Sequence, residues 1–323
     1  MNPLVSIRDL SVSYPGRGTA SALKHINLDI HHGETVGLVG ESGCGKTTLA
    51  LALMGMLPPG CAWQGEISIA GQQVDFYQQA GRASARDQCA MIFQNPQTSL
   101  NPVIAIGRQI IRIIRRRGGL EKQPTQQRLA EVLSLVELPA ECSKLYPHEL
   151  SGGMQQRVLL AMALARQANI LIADEPTTAL DASTRMQILA LLNRLQQQQN
   201  LAVLLISHDL SAIARVCRQV LILYQGRVVE QAPQELIFRQ PRHPYSAGLL
   251  AAIPKIHRRR PDKLLSLPGD ASLEAVTSGC AFAPRCSRRD VYCEQQLPPL
   301  NCALDLQQRF ACFNPRPIQG GLK

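Results

Sequence analysis

Thr35-Val36-Gly37-Leu38-Val39 runs straight into Gly40-Glu41-Ser42-Gly43-Cys44-Gly45-Lys46-Thr47-Thr48, and that into Leu49-Ala50-Leu51-Ala52-Leu53-Met54. The first block is short, β-branched and apolar, which predicts a buried strand; the last predicts a helix. Between them lies G-x-x-x-x-G-K-T, in the strand–loop–helix setting that a phosphate-binding loop requires. Its glycines let the backbone turn tightly with N–H groups facing an anion, and the helix that follows adds the partial positive charge of its N-terminus. Lys46 is then expected at the β- and γ-phosphates and the Thr47 hydroxyl at Mg²⁺. A lone Gly-rich turn before a lysine would mean little; the flanking strand and helix make this a nucleotide site. Gly40, Ser42, Gly43, Cys44, Gly45, Lys46, Thr47 and Thr48 are its candidate contacts.

Phosphoryl transfer to water needs a metal carboxylate, a water positioner and a sensor of the terminal phosphate. The apolar strand Asn169–Ala173 ends in Asp174-Glu175, so Asp174 is placed to share Mg²⁺ with Thr47 and Glu175 to take the proton of the attacking water. The strand Leu201–Ile206 ends in Ser207-His208, a candidate contact to the γ-phosphate. Gln94, after the short strand Ala90–Phe93, would complete the metal or water shell. Taken singly, a charged strand end or one histidine is usually structural; their joint occurrence around one phosphate loop points to catalysis. A second anion-ready helix start follows Leu150: Ser151 caps it, and Gly152 and Gly153 leave its first N–H groups uncovered.

Elsewhere, Val5–Val12 and Ile26–Ile30 alternate as half-buried strands, Gly65–Ile69 predicts another, and Ile104–Leu145 is helical and polar. Val220–Tyr224, Gln225-Gly226 and Arg227–Val229 predict a hairpin. Continuous apolar strands alternating with helices indicate a mostly parallel sheet covered on both faces. Beyond Phe238 prolines accumulate and helical periodicity fades after Ile253, marking a linker and a small loop-rich appendage.

The chain has 323 residues, 34 Lys and Arg against 24 Asp and Glu, and a net charge of +10. That charge admits nucleic acid, an anionic membrane surface or acidic ligands. Aromatic residues at 4% weaken a base-stacking role. Arg115–Arg117 precede Gly118-Gly119 as arginines completing a helix C-terminus do, while Arg258–Arg260 lie in the linker. No apolar run approaches the ~20 residues that span a bilayer. Met1-Asn2-Pro3 lacks a signal-peptide layout, so a cytoplasmic protein is expected. Of ten cysteines, Cys44, Cys61, Cys89, Cys142 and Cys217 are scattered and read as small buried hydrophobes. The other five crowd between Cys280 and Cys312.

In order along the chain, Gly40 to Thr48, Gln94, Leu150-Ser151-Gly152-Gly153-Met154-Gln155, Asp174-Glu175, Ala179-Leu180-Asp181 and His208 resemble the motifs of the ATP-binding cassette ATPases over residues 1 to about 235. The Leu-Ser-Gly-Gly-Met-Gln signature is the most specific of them. The resemblance implies an α/β phosphate-loop core, residues 1–238, with a mixed mostly parallel sheet, an antiparallel β subdomain and an inserted helical subdomain at about 95–165. It implies ATP and Mg²⁺ as ligands and a head-to-tail pair of cassettes, with ATP held between the phosphate loop of one and the signature of the other. Ser151, Gly152, Gly153 and Gln155, with Asp181, would then serve the partner's nucleotide, and Tyr14 sits where the family stacks an aromatic on adenine.

Phe93-Gln94-Asn95-Pro96, Thr98–Pro102 and His243-Pro244-Tyr245 further resemble the dipeptide, oligopeptide and nickel importer branch, whose C-terminal extension would cover 239–323. Cys280, Cys286, Cys293 and Cys312 are similar to the cysteines of that extension, which in some dipeptide importers hold a [4Fe–4S] cluster. Zinc and unligated thiols are the alternatives, although the spacings lack the C-x₂-C pairs of zinc ribbons. Disulfides are disfavoured in a reducing cytosol. Cys302 falls outside the pattern. Two positions depart from the family: Cys44 stands where a small hydroxyl residue is usual, offering a site for oxidation, and Phe313 where histidine is frequent.

The implied role is the ATP-hydrolysing motor of an importer at the cytoplasmic face of the cell membrane. Its partners would be a second, different cassette subunit, two transmembrane permeases and an extracytoplasmic substrate-binding protein, with contact to the permeases near Gln94 to Asn101. Short peptides are the expected cargo, with nickel, a metal–chelator complex or glutathione as alternatives. A nucleic-acid- or ribosome-associated cassette protein is a rival that the charge suits, but such proteins usually carry two cassettes or long coiled-coil insertions. A cassette that binds ATP without turnover is a third reading, disfavoured by Glu175 and His208 both being present.

Overall fold

In the computed structural model, which describes residues 2–16, 21–93, 96–118, 122–253, 278–302 and 307–317, the chain opens with β1 (Val5–Ser13) and β2 (Ser21–Ile30), paired antiparallel. The alternation of β1 slips once. Asp9 takes a left-handed φ of 51° where the register shifts, so that Ile7 and Leu10 both stay inside. β3 (Thr35–Val39), buried at every position, feeds the phosphate loop, and α1 (Lys46–Leu53) leaves it. β4 (Ala62–Ile69) starts earlier than Gly65 and pairs with β1; with β5 (Gln72–Gln73) at its edge it completes a four-stranded antiparallel sheet.

α2 (Gln79–Gln88), a largely exposed helix with only Ala85 buried and no apolar stripe to announce it, leads into β6 (Cys89–Ile92). A helical insertion follows: α3 (Pro96–Ser99), α4 (Ile106–Gly118), α5 (Lys122–Leu135) and α6 (Gly152–Ala165). The chain returns through β7 (Ile170–Asp174), α7 (Ala182–Gln199), β8 (Ala202–Ile206), α8 (Leu210–Val216), β9 (Gln219–Tyr224) and β10 (Arg227–Pro233). The last elements are α9 (Gln234–Arg239), α10 (Pro244–Ala251), α11 (Val291–Gln295), β11 (Asn301–Cys302) and β12 (Arg309–Phe310).

The second sheet, eight strands among the described residues, runs β11-β12-β10-β9-β3-β8-β7-β6. Its centre is parallel, with β3 between β8 and β9. The two-residue period sorts its side chains into two cores. Ile170, Ile172, Leu204 and Ile206 meet the antiparallel sheet and α1, whereas Leu171, Ala173, Val203 and Leu205 meet α7, α8 and the helical insertion. Each fully buried aliphatic side chain here is worth roughly 2 kcal/mol, and the sheet is buried on both faces as parallel strands require. The β9–β10 hairpin forms as the sequence predicts: Gln225 (φ 43°) and Gly226 (φ 81°) are both left-handed, the geometry of a tight hairpin turn. Among the described residues no helix is long and apolar enough to cross a membrane.

The C-terminal region is more than a loop-rich appendage. β12 pairs antiparallel with β10, Phe310 opposite Glu230, and so extends the main sheet. Glu230 is fully buried; its carboxylate accepts the backbone N–H groups of Arg242 (2.7 Å) and His243 (3.0 Å) and the Gln308 amide (2.7 Å). One carboxylate thus ties β10 to the start of α10 and to the chain leading into β12. His243 in turn caps α10, its Nδ1 accepting from Tyr245 N at 3.1 Å, with Pro244 at the first helical position where a proline costs nothing.

Candidate nucleotide site

The phosphate loop closes over the sheet edge between β3 and α1. Gly45, the residue before α1, has φ 111°, and a Cβ there would lie 2.6 Å from the Ala22 carbonyl oxygen. A Cβ on Gly40 would lie 2.3 Å from the Leu223 carbonyl oxygen, so the loop needs hydrogen at both positions. Lys46 Nζ donates to the carbonyls of Gly40 (2.7 Å) and Glu41 (2.8 Å), which hold it across the mouth of its own loop. Thr48, one turn into the helix, meets the Tyr14 hydroxyl at 3.1 Å.

These groups line one open cleft of about 860 Å³ together with Asp174, Glu175 and His208. Gly40, Ser42, Gly43, Gly45, Lys46, Thr47, Thr48 and Tyr14 all face it. Asp174, at the end of β7, accepts from Thr47 Oγ1 at 3.2 Å. Burial raises its carboxyl above the ordinary range, and the Thr47 hydrogen bond pulls it back. Two hard oxygens at that separation fit neighbouring positions around Mg²⁺, whose cis ligands lie about 2.9 Å apart when each bond is near 2.05 Å. Glu175, next along, has φ 50° and donates its N–H to Ile206 O at 2.8 Å, so its side chain leaves the strand toward β8. There Oε1 meets His208 Nδ1 at 2.8 Å and Oε2 accepts from Thr178 Oγ1 at 3.0 Å. The end of β7 and the end of β8 therefore deliver two expected catalytic residues already in contact.

The signature residues stand outside this cleft. Ser151 caps α6 by accepting from Met154 N at 3.3 Å, and Ser151 and Gly152 are exposed. Gln155, expected as a nucleotide contact, is instead 7% exposed; its amide donates to the carbonyls of Pro147 (2.8 Å) and Leu150 (3.3 Å). Its work is to brace the turn that presents Ser151. Asp181 caps α7, accepting from the N–H groups of Ser183 and Thr184 at 3.0 Å each, which hold its carboxyl down at about 2. Gln94 lies outside the described residues.

Cys44 corrects one expectation. Its side chain is buried and burial raises its thiol pKa, so it is shielded from the oxidation that its place in the loop suggested. Cys89, Cys142 and Cys217 are buried as expected, but Cys61 is partly exposed. In the C-terminal region Cys280, Cys286, Cys293 and Cys312 come within mutual electrostatic reach. Burial first, and then the other three sulfurs, push Cys312 up to about 12. Arg288 N donates to Cys286 Sγ at 3.4 Å and Asn314 Nδ2 to Cys293 Sγ at 3.8 Å. Among the described residues no three His, Cys, Asp or Glu side chains are placed to share one metal ion.

Two residues that sequence reasoning did not place at the nucleotide loop also reach it. Tyr245 accepts from Glu41 N at 2.9 Å through its hydroxyl, and Arg285 grips the Glu41 carboxylate with both terminal nitrogens at 2.7 and 2.9 Å. His243-Pro244-Tyr245 was legible only as a family marker, and Arg285 carried no signal beyond its place between two cysteines.

A phosphate loop, a strand-end Asp–Glu pair, a histidine just past the adjacent strand and a Ser-Gly-Gly helix start on an inserted helical unit together define an ATP-binding cassette. Residues 23–178 match the profile "ABC transporter", and residues 229–293 match "Oligopeptide/dipeptide transporter, C-terminal region". The chain belongs to the ABC transporter ATP-binding subunits, in their oligopeptide and dipeptide branch. It is 40% identical over 299 residues to the oligopeptide transport ATP-binding protein OppD of Haemophilus influenzae, covering 91% of this chain and 92% of that one. It is 40% identical over 311 residues to the dipeptide transport ATP-binding protein DppD of Escherichia coli, covering 94% and 95%. Among solved structures, cbiO1 of Clostridium perfringens, part of the cbiONQ complex, superposes with a TM-score of 0.67 at 25% identity over 74% of this chain and 92% of that one. The cassette MJ0796, a dimer in a post-hydrolysis state bound to ADP and Pi, gives 0.62 at 29% identity over 71% and 98%.

Proposed function

We propose that this chain is the ATP-hydrolysing motor of an importer and that it energises uptake of short peptides through partner permease subunits. One observation carries the reading: Lys46, Thr47, Asp174, Glu175 and His208 line a single cleft while Ser151 and Gly152 stand exposed outside it. Such a chain holds ATP with one surface and offers an anion-binding helix start to another molecule with a second surface.

In the reading, the triphosphate lies along the loop N–H groups and the start of α1, and Lys46 leaves the Gly40 and Glu41 carbonyls for the β- and γ-phosphates. Mg²⁺ held by Thr47 and Asp174 supplies charge neutralisation at the phosphate oxygens. Glu175 takes a proton from water as its oxygen attacks the γ-phosphorus; the bond to the bridging oxygen breaks, giving ADP and inorganic phosphate. His208 orients Glu175 through Oε1 and offers its other ring nitrogen to the γ-phosphate. Tyr14 packs beside the adenine. Ser151, Gly152 and Gly153 close over the ATP of a second cassette, a different subunit in the habit of this branch.

Residues 1–238 form the nucleotide-binding domain and 239–323 the extension. Two transmembrane permeases and an extracytoplasmic binding protein complete the assembly, which sets this chain at the cytoplasmic face of the cell membrane. The oligopeptide and dipeptide transport relatives support peptides as cargo. The spacing of Cys280, Cys286, Cys293 and Cys312, with N–H donors on two of the sulfurs, carries the reading that they hold a [4Fe–4S] cluster, with zinc as the rival. Iron and acid-labile sulfide analysis of anaerobically purified protein tests this; absence of both removes the cluster.

Glu175→Gln tests the motor. Glutamine keeps the size of the side chain and its contacts to His208 and Thr178 but cannot take a proton. Turnover by the assembled transporter should fall at least about 10²-fold, the usual range for losing a general base, with nucleotide binding retained. Wild-type turnover in the variant would end the reading.

A further inference from the structure

Every polar group of Glu41, the second residue of the phosphate loop, is engaged. Its carbonyl accepts from Lys46 Nζ at 2.8 Å. Its N–H donates to the Tyr245 hydroxyl at 2.9 Å, and its carboxylate receives the Arg285 fork at 2.7 and 2.9 Å. The last two partners are 204 and 244 residues away in sequence, both in the C-terminal region. Arg285 is itself confined: its side chain is 8% exposed, Nη1 reaches the Tyr224 hydroxyl at 3.3 Å, and its guanidinium lies 5.8 and 5.9 Å from the Tyr224 and Phe282 ring centres. It also sits in a tight turn, Ala283–Arg285, that is bonded backbone to backbone to Cys280 on one side and Cys286 on the other.

A two-pronged guanidinium–carboxylate pair fixes distance and orientation together, which one ammonium would not. Here the fixed group is the very residue whose carbonyl docks the catalytic lysine. We propose that Arg285 is a positioning residue of the nucleotide site: by clasping Glu41 it holds the outer limb of the phosphate loop in the shape that accepts a triphosphate. The C-terminal region is then a working part of the ATP site as well as an extension of the main sheet. The proposal rests on the reading of the cleft as the ATP site.

The test is calorimetric titration of the folded full-length chain with Mg²⁺ and a non-hydrolysable ATP analogue, at a temperature far below unfolding. Saturable binding by the wild type checks the ATP-site reading by itself; the ratios among variants check Arg285. Arg285→Ala should weaken binding about tenfold and Arg285→Lys, which keeps charge but loses the fork, by less. Glu41→Gln combined with Arg285→Ala should be no weaker than Arg285→Ala alone, within about twofold, because both remove one clasp. A purely structural role would lower the melting temperature and leave affinity unmoved. Should Arg285→Ala not fold, Glu41→Gln with Arg285→Met removes both charges, leaving none unpaired, and should show the same weakening. Wild-type affinity in a folded variant lacking the clasp, or effects that multiply, would overturn the proposal.

Discussion

His243 makes the fold acid-sensitive by an amount that can be worked out. It is 1% exposed, and burial lowers its pKa from the ordinary 6.5 to about 4. A histidine kept neutral in the folded state and free to protonate in the unfolded one contributes full stability above the unfolded value. That stability is lost as pH falls from about 6.5 toward 4, because there the unfolded chain binds the proton that the folded chain refuses. The full span is roughly 3 kcal/mol, from about 1.4 per pKa unit, and about 2 kcal/mol of it is gone by pH 5. Asn at this position keeps an oxygen to cap the Tyr245 N–H and cannot titrate. Urea unfolding of wild type and His243→Asn at pH 7.5 and 5.0 isolates the histidine. Glu230, whose carboxyl is raised by burial and so acts in the opposite sense, is common to both proteins. Wild type should lose about 2 kcal/mol more than the variant between the two pH values. Equal losses would refute the reasoning.

Glu230→Ala should cost roughly 3 kcal/mol in the same assay, because it strands the Arg242 and His243 N–H groups and the Gln308 amide in a dry site. Cys44 should escape iodoacetamide at pH 7.5 in the folded protein and react in urea, read by peptide mass spectrometry, since burial both covers the thiol and keeps it protonated.

The nucleotide loop was legible because its signal is local: β3, the glycines and α1 are continuous in sequence, and glycine with φ 111° before a helix has no common substitute. Strand ends were legible too. Apolar runs that stop at Asp174-Glu175 and Ser207-His208 mark the edge of a parallel sheet, where ligands gather. That the histidine and the glutamate would touch was not written in either run. The C-terminal region read as irregular because β11 and β12 are two residues each, too short to carry a period. Its clasp on Glu41 spans more than two hundred residues and depends on one arginine. Gln155 shows a related limit: a glutamine in a motif reads as a ligand, and only coordinates reveal that its amide donates to two carbonyls of the turn before Ser151.

At the centre of the account stands a division of labour, with this chain's cleft holding its own ATP and its Ser151 helix start serving the ATP of another subunit. Ser151→Arg separates the two surfaces. Calorimetric affinity of the isolated chain for Mg²⁺ and a non-hydrolysable ATP analogue should stay within about twofold of wild type, while ATP turnover by the assembled transporter falls at least tenfold. Weakened binding by the isolated chain, or undiminished turnover in the assembly, would contradict it.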